Sequence, residues 1–146
     1  MAKAKEFTVA IADKPGALGR CFQALGERGI NILGFQSFVE ERESLVRFVT
    51  DEVAAAKAVL GGASMIYEET DVAVVSLLHR PGALGRAAAK LGEGHINIDY
   101  SYCGSAPGSN LALLVFGVDN LTKAASLLDE LAAEDHPGGG PPQKSA

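Results

Sequence analysis

The chain of 146 residues carries 18 acidic side chains against 13 Lys and Arg, and its net charge of -5 excludes the broad basic surface that binding to duplex phosphates requires. A hydrophobic content of 47% excludes a wholly disordered chain, and no apolar run approaches the ~20 residues that span a bilayer. One domain of average size or two very small ones is expected, with neither nucleic acid nor membrane as partner.

Met1 to Phe7 lacks the pattern of a leader, and Cys21 and Cys103 do not make a disulfide framework, so a cytoplasmic location is expected. Phe7, Val9 and Ile11 alternate with smaller residues and predict a strand. After Pro15, the residues Leu18, Phe22 and Leu25 recur at helical spacing, Gly29 ends that helix, and Ile30 opens an extended run to about Val39. "EERES" turns the chain into a returning strand, Leu45 to Thr50. Glu52 to Leu60 predicts a second helix with Val53, Ala56 and Leu60 on one side, and beyond Gly61-Gly62 the run Met65 to Glu69 supplies a last strand or crosses to a second copy of the design. The order is βαββαβ.

From Val72 the design starts again. "PGALGR" stands at Pro15 to Arg20 and at Pro81 to Arg86, and an offset of 66 residues also superposes the Ile-Asn-Ile triplets at Ile30 and Ile96. The same offset pairs Leu18, Leu25 and Gly26 with Leu84, Leu91 and Gly92, Ala88 stands where Phe22 does, and Leu18 and Leu84 are expected to face inward. The offset then becomes 68, laying "DEVAAAKAVL" from Asp51 over "DNLTKAASLL" from Asp119, so two residues are inserted in an intervening loop, since a slip inside a strand would reverse its faces. The last helix, about Asn120 to Ala133, carries Leu121, Ala124, Leu128 and Leu131 at helical spacing, but "DHPGGGPPQKSA" comes after it instead of a strand. The expected architecture is α+β: two ferredoxin-like repeats, residues 5–70 and 71–134, each an antiparallel sheet with its helices on one face, and a disordered Pro/Gly-rich tail at 135–146. The second repeat lacks its last strand, which leaves Val72 to Leu78 with an open edge unless Met65 to Glu69 or a second chain fills it.

The repeated phrase reads as a turn, a binding site or both. Pro15 fixes φ for a helix start, and Gly16 removes the side chain that would keep another molecule off the backbone. The open N–H groups and partial positive charge of a helix start suit a carboxylate, and the same holds at Pro81 and Gly82. For the ammonium of a free amino acid, Asp13 and Asn31 are the nearest acceptors in copy one, and His79 and Asn97 in copy two. In the plainer reading Pro-Gly makes a strand-to-helix junction, Asp13 caps the helix, and the Asn tolerates a turn.

"DKPGALGRCFQALGERGINI" and "HRPGALGRAAAKLGEGHINI" both resemble the opening of the ACT domain, a small amino-acid-sensing module, and the resemblance covers all but the tail. Stand-alone tandem ACT proteins without an attached enzyme are the most similar in organisation. The resemblance implies regulatory binding of an amino acid between modules whose sheets join edge to edge. It implies ligand contacts at Asp13 and Asn31 and at their counterparts His79 and Asn97. Together with the open backbone of the turns, the expected ligand-binding residues are Asp13, Pro15, Gly16, Ala17, Leu18 and Asn31 in copy one and His79, Pro81, Gly82, Ala83, Leu84 and Asn97 in copy two. The exchange of Asp13 for His79 means that the copies need not share a ligand, or both function.

Other chemistry has little to rest on. "GALG" formally meets the GxxG of KH loops, but it comes after a strand rather than lying between helices. Lys14 and Arg80 suit screening of an anion, whereas Arg20 and Arg86 read as solvated helix residues. Cys21 reads as a core thiol and Cys103 as an exposed one, and Tyr100 and Tyr102 share a strand face that lines a pocket or packs. His79, His95 and His136 fall in separate contexts without a nucleophile, metal or phosphate motif, so no catalytic residue, cofactor or metal is expected. The function expected is non-catalytic: an amino-acid-binding regulatory protein, pairing as a homodimer. The alternative is a structural or protein-interaction module, detached regulatory subunit of a metabolic enzyme.

Overall fold

The computed structural model describes residues 2–105 and 108–135; His136 and the tail expected to be disordered, apart from Asp135, lie outside them. The fold is α+β. Its elements are β1 (Lys3–Ala12), α1 (Ala17–Glu27), β2 (Ile32–Glu40), β3 (Glu43–Thr50), α2 (Val53–Gly62), β4 (Ile66–Leu78), α3 (Ala83–Glu93), β5 (Ile98–Gly104), β6 (Leu111–Val118) and α4 (Leu121–Asp135). The chain divides into two compact units, one of Lys5–Thr70 and one that begins at Asp71 and takes in residues 2–4.

In the unit Lys5–Thr70 the strand order is β2-β3-β1-β4, with β3 antiparallel to both neighbours. Phe7, Val9, Val46 and Phe48 project from β1 and β3 onto Cys21 and Leu25 of α1 and Ala56 and Leu60 of α2, every one of them buried. Phe7, Phe48 and Phe22 form a tilted and edge-to-face chain with centroids 5.5 and 5.8 Å apart. In the unit from Asp71, β6 lies between β4 and β5, antiparallel to both. Ala73, Val75, Leu77, Leu114 and Phe116 pack there against Ala87, Leu91, Ala124 and Leu128.

Two expectations need correction, and one segment joins a unit without any signal in the sequence. Met65 to Glu69 and Val72 to Leu78 are not separate strands but lie in a single strand, Ile66–Leu78. Its polar middle suggests a break, yet contains no Gly or Pro to turn the backbone. Residues 2–4, which no periodicity marks, belong to the second unit: Ala2 is buried in its core, and its carbonyl accepts a 3.0 Å hydrogen bond from Val74 N–H. The helical faces also differ in part: Cys21 is buried as expected, as are Leu25 and Leu91, but the first turns present Ala17 and Ala83 rather than Leu18 and Leu84 to the core. Ala17 and Cys21 of α1, and Ala83 and Ala87 of α3, face the sheets, because small side chains let helix and sheet approach closely. Leu18 flanks its core, and Leu84, expected to point inward, is 44% exposed.

Candidate functional site

Both copies of the repeated phrase build the same turn. Gly16 has φ +89° and Gly82 φ +91°, and the N–H groups of Ala17 and Ala83 donate back to the carbonyls of Lys14 and Arg80 at 3.3 and 3.2 Å. With Pro at its second position and a positive-φ Gly at its third, this is a type II turn. Gly16 and Gly82 are therefore the N-caps, and the helices start at Ala17 and Ala83, not at the prolines. No side chain caps either helix, which sets aside Asp13 as a cap and leaves the N–H groups of the next residues, Leu18 and Gly19 in one copy and Leu84 and Gly85 in the other, without a side-chain cap.

In the second unit the turn borders a cavity of about 210 Å³. His79, Gly82 and Leu84 form one wall, Cys103, Gly104 and Ser105 at the end of β5 form another, and Ala112 and Leu114 of β6 make an apolar floor. Ser105 Oγ stands 3.2 and 3.1 Å from the two ring nitrogens of His79, whose own N–H donates to the Asn110 carbonyl at 2.8 Å. Arg80 lines the cavity as well, so the helix end and a guanidinium give it positive potential. Of the second-copy residues singled out in the sequence, His79, Gly82, Ala83 and Leu84 line this cavity, whereas Pro81 and Asn97 do not. Sequence reasoning missed Cys103, Gly104, Ser105, Ala112 and Leu114, because they come from the hairpin, where the two copies differ in length. Cys103 faces the cavity with Leu114, its partner in register, so strand alternation turns Tyr100 and Tyr102 to the other face. There the ring of Tyr100 covers Gly117 and fills the space that a Cβ would take.

The two asparagines occupy the opposite ends of their sheets. Ile32 pairs with Thr50 and Ala12 with Glu43, so Asn31 and Asp13 lie beyond opposite ends of the eight-residue β3, farther apart than the ~23 Å that its length spans at ~3.3 Å per residue. Asn97 and His79 are separated in the same way along β6. Within a unit, neither pair meets around one small molecule. Each asparagine is engaged locally instead. Asn31 donates its N–H and its Nδ2 to Oδ1 and Oδ2 of Asp51, both at 3.1 Å, and its carbonyl accepts from Thr50 Oγ1 at 2.9 Å. Asn97 donates its N–H to Asp119 and its Nδ2 to Asp99, both at 3.0 Å.

The arginines of the repeated phrase are where the copies part most. Arg20 folds back on its turn, with Nη1 2.8 Å from the point where a Cβ on Gly16 would lie, while nothing comes within 4 Å of that point at Gly82. Arg86 is not the solvated residue expected: its Nη2 donates to Asp135 at 2.6 Å, and Arg80 Nη2 donates to the same oxygen at 2.8 Å. Asp135, assigned by composition to the tail, is the last residue of α4, and its other oxygen accepts from Leu78 N–H at 2.6 Å. Burial raises the pKa of the Cys21 thiol, so it stays protonated and inert in the core, and Cys103 is exposed. Among the described residues there is no cluster able to hold a metal ion, and no helix is long and apolar enough to cross a membrane.

No curated protein matches the chain. A protein from Bacteroides thetaiotaomicron of known structure is 23% identical, with 89% of each chain covered and a TM-score of 0.78. The ligand-free regulatory subunit of aspartate kinase from Thermus thermophilus is 20% identical over 88% of this chain and 91% of that one, at a TM-score of 0.61. The corresponding subunit from Thermus flavus is 19% identical over 92% and 93%, at 0.56. These likenesses establish a shared fold along most of the chain. Residues 7–59, the first βαββα segment, match the family model of the ACT domain.

Proposed function

We propose that the chain is a non-catalytic regulatory protein, with a second ACT repeat over residues 71–134, that binds a small amino acid or related effector. The observation that carries this reading is the cavity beside the second Pro-Gly turn. At about 210 Å³ it is smaller than the roughly 300–1,000 Å³ of sites for drug-sized ligands, and it suits a metabolite. It joins an anion-favouring end to an apolar floor. The carboxylate of the effector sits against the open N–H groups of Leu84 and Gly85 and the guanidinium of Arg80. Its ammonium turns to the His79 and Ser105 pair, and its side chain lies on Ala112 and Leu114. Asp13, Pro15, Gly16, Ala17 and Leu18 are the equivalent residues in copy one, where Arg20 lies across the turn. Asn31 and Asn97 take part where the far end of a module from a second copy of the chain meets the turn, which is the role of the homodimer in this reading. Occupancy regulates by favouring one arrangement of modules, and only to the extent that the effector binds the two states unequally.

A panel of proteinogenic L-amino acids tests the proposal by thermal shift and calorimetry. An effector at a hundred times its Kd stabilises by about 2.7 kcal/mol, and His79→Ala abolishes the shift. If no amino acid raises the Tm, the reading falls. The likeness of fold to aspartate kinase regulatory subunits favours a second reading, a detached subunit of a metabolic enzyme. Under that reading co-purification with a kinase, in the absence of any amino-acid response, is the expected result.

A further inference from the structure

A carboxylate at the last residue of a helix faces the negative end of the helix dipole, and a buried one needs donors to be tolerated at all. The Asp135 side chain is fully buried, with 0% exposure, at the C-terminus of α4. Its donors are Leu78 N–H from the end of β4, Arg80 from the turn and Arg86 from the first turns of α3. Of these donors Arg80 lines the cavity, and the other two stand on either side of the turn whose His79, Gly82, Ala83 and Leu84 line it.

The first copy shows what the arginine does without such a partner. Its second helix, α2, runs ten residues, whereas α4 runs fifteen, and Val53 and Leu121 are equivalent starting points in the repeat. The shorter helix supplies no counterpart of Asp135, and Arg20 lies across Gly16, in the space that a side chain there would take. At Gly82 that space is open.

We propose that Asp135 is a positioning residue for the second-copy cavity: by holding Arg86, and Arg80 with it, it keeps a guanidinium from closing over Gly82 as Arg20 closes over Gly16. The extra length of α4 thereby decides which copy of the repeated phrase offers an open site. This deepens the function proposed above and rests on it for the nature of the occupant. The latch itself is tested without any ligand.

Cys103 lines the cavity and is exposed, so its modification reports on the mouth. The full chain is treated with N-ethylmaleimide, and labelling at Cys103 is followed by mass spectrometry, with circular dichroism to confirm folding. Asp135→Ala frees Arg86, and Cys103 labelling slows several-fold; Asp135→Ala combined with Arg86→Ala restores the wild-type rate. Asp135→Asn preserves the shape of the side chain and a weaker hold on the arginines, so it folds and slows labelling to a lesser degree. Unchanged or faster labelling in folded Asp135→Asn, or a double variant as slow as Asp135→Ala, overturns the proposal. If the labelling behaves as expected and no amino acid binds, the effector reading falls and the latch stands.

Discussion

The two Pro-Gly turns have the same backbone and different surroundings. Gly16 and Gly82 differ by only 2° in φ, and each opens an eleven-residue helix that no side chain caps. Yet one turn lies under its own arginine, while at the other the equivalent arginine is drawn to Asp135 and a cavity stands open. Local sequence sets the turn, because Pro and Gly restrict only their own dihedrals. Access to the turn is set by a residue about fifty positions away, at the end of a different helix. Identity of motif therefore does not carry identity of site.

The largest effect on this comparison is expected from Gly16→Ala and Gly82→Ala. At a positive φ each alanine is strained, and each variant loses about 1–2 kcal/mol of stability in urea titrations. A Cβ at residue 82 meets open space, whereas one at residue 16 meets the far end of the Arg20 side chain, which can swing aside at little cost. Near-equal losses are thus expected. A Gly16→Ala loss much greater than that of Gly82→Ala would break the comparison, because it would show Arg20 to be held on its turn rather than merely resting there.

A smaller effect, of opposite sign, is expected where α1 and α3 end. Ile30 N–H reaches back to the Leu25 carbonyl and Gly29 N–H to that of Gly26; Ile96 and His95 make the same bonds to Leu91 and Gly92. Both ends are Schellman motifs, whose left-handed residue is Gly29 at φ 73° in one copy and His95 at φ 58° in the other. His95→Gly relieves the Cβ penalty and should stabilise the second unit by less than about 1 kcal/mol, the reverse change at Gly29 destabilising the first. A loss of stability on His95→Gly would mean that the imidazole makes a compensating contact.

These motifs also show how much was legible in the sequence. The repeat, the βαββ order and both turns come from local signals: Pro-Gly, alternating β1 residues, and Gly29 ending a helix. The chemistry around the turns rests on pairings that no local signal carries. Asp135 sits in a Pro/Gly-rich run that reads as tail, and its partners are Leu78, Arg80 and Arg86. Ala2 has too little neighbouring pattern to mark it as part of a core. Helical period points Leu84 inward, but in small-residue helices the alanines make the close approach and the next residue is displaced to the rim. Asp13 and Asn31 look like neighbours in a motif, but α1 carries the chain back along the sheet between them and places them at opposite ends.

The far ends supply the smallest expected effect. Asp51 receives both donors of Asn31, whereas Asn97 divides its donors between Asp119 and Asp99. Desolvation pushes the Asp51 carboxyl up, but hydrogen bonds from the Asn31 side chain, the Asn31 and Asp51 backbone N–H groups and the Thr50 hydroxyl outweigh it and hold the pKa below the usual 3.8. A pKa lowered by folding means that the unfolded state binds the proton more readily. The stabilisation is therefore present above the ordinary carboxylate value and is lost as pH falls through the folded-state value. Acid titration of the chain, monitored by carboxyl NMR, should show Asp51 titrating below the free side chain, and Asn31→Ala should move it back up while flattening the acid limb of the stability curve. A Thr50→Val change should do the same to a lesser degree, since the hydroxyl sits 3.4 Å from Oδ1 against 3.1 Å for the asparagine donors. If Asn31→Ala leaves the Asp51 titration in place, the paired bonds do not form in solution, and the asparagine is free to serve a ligand at that end instead.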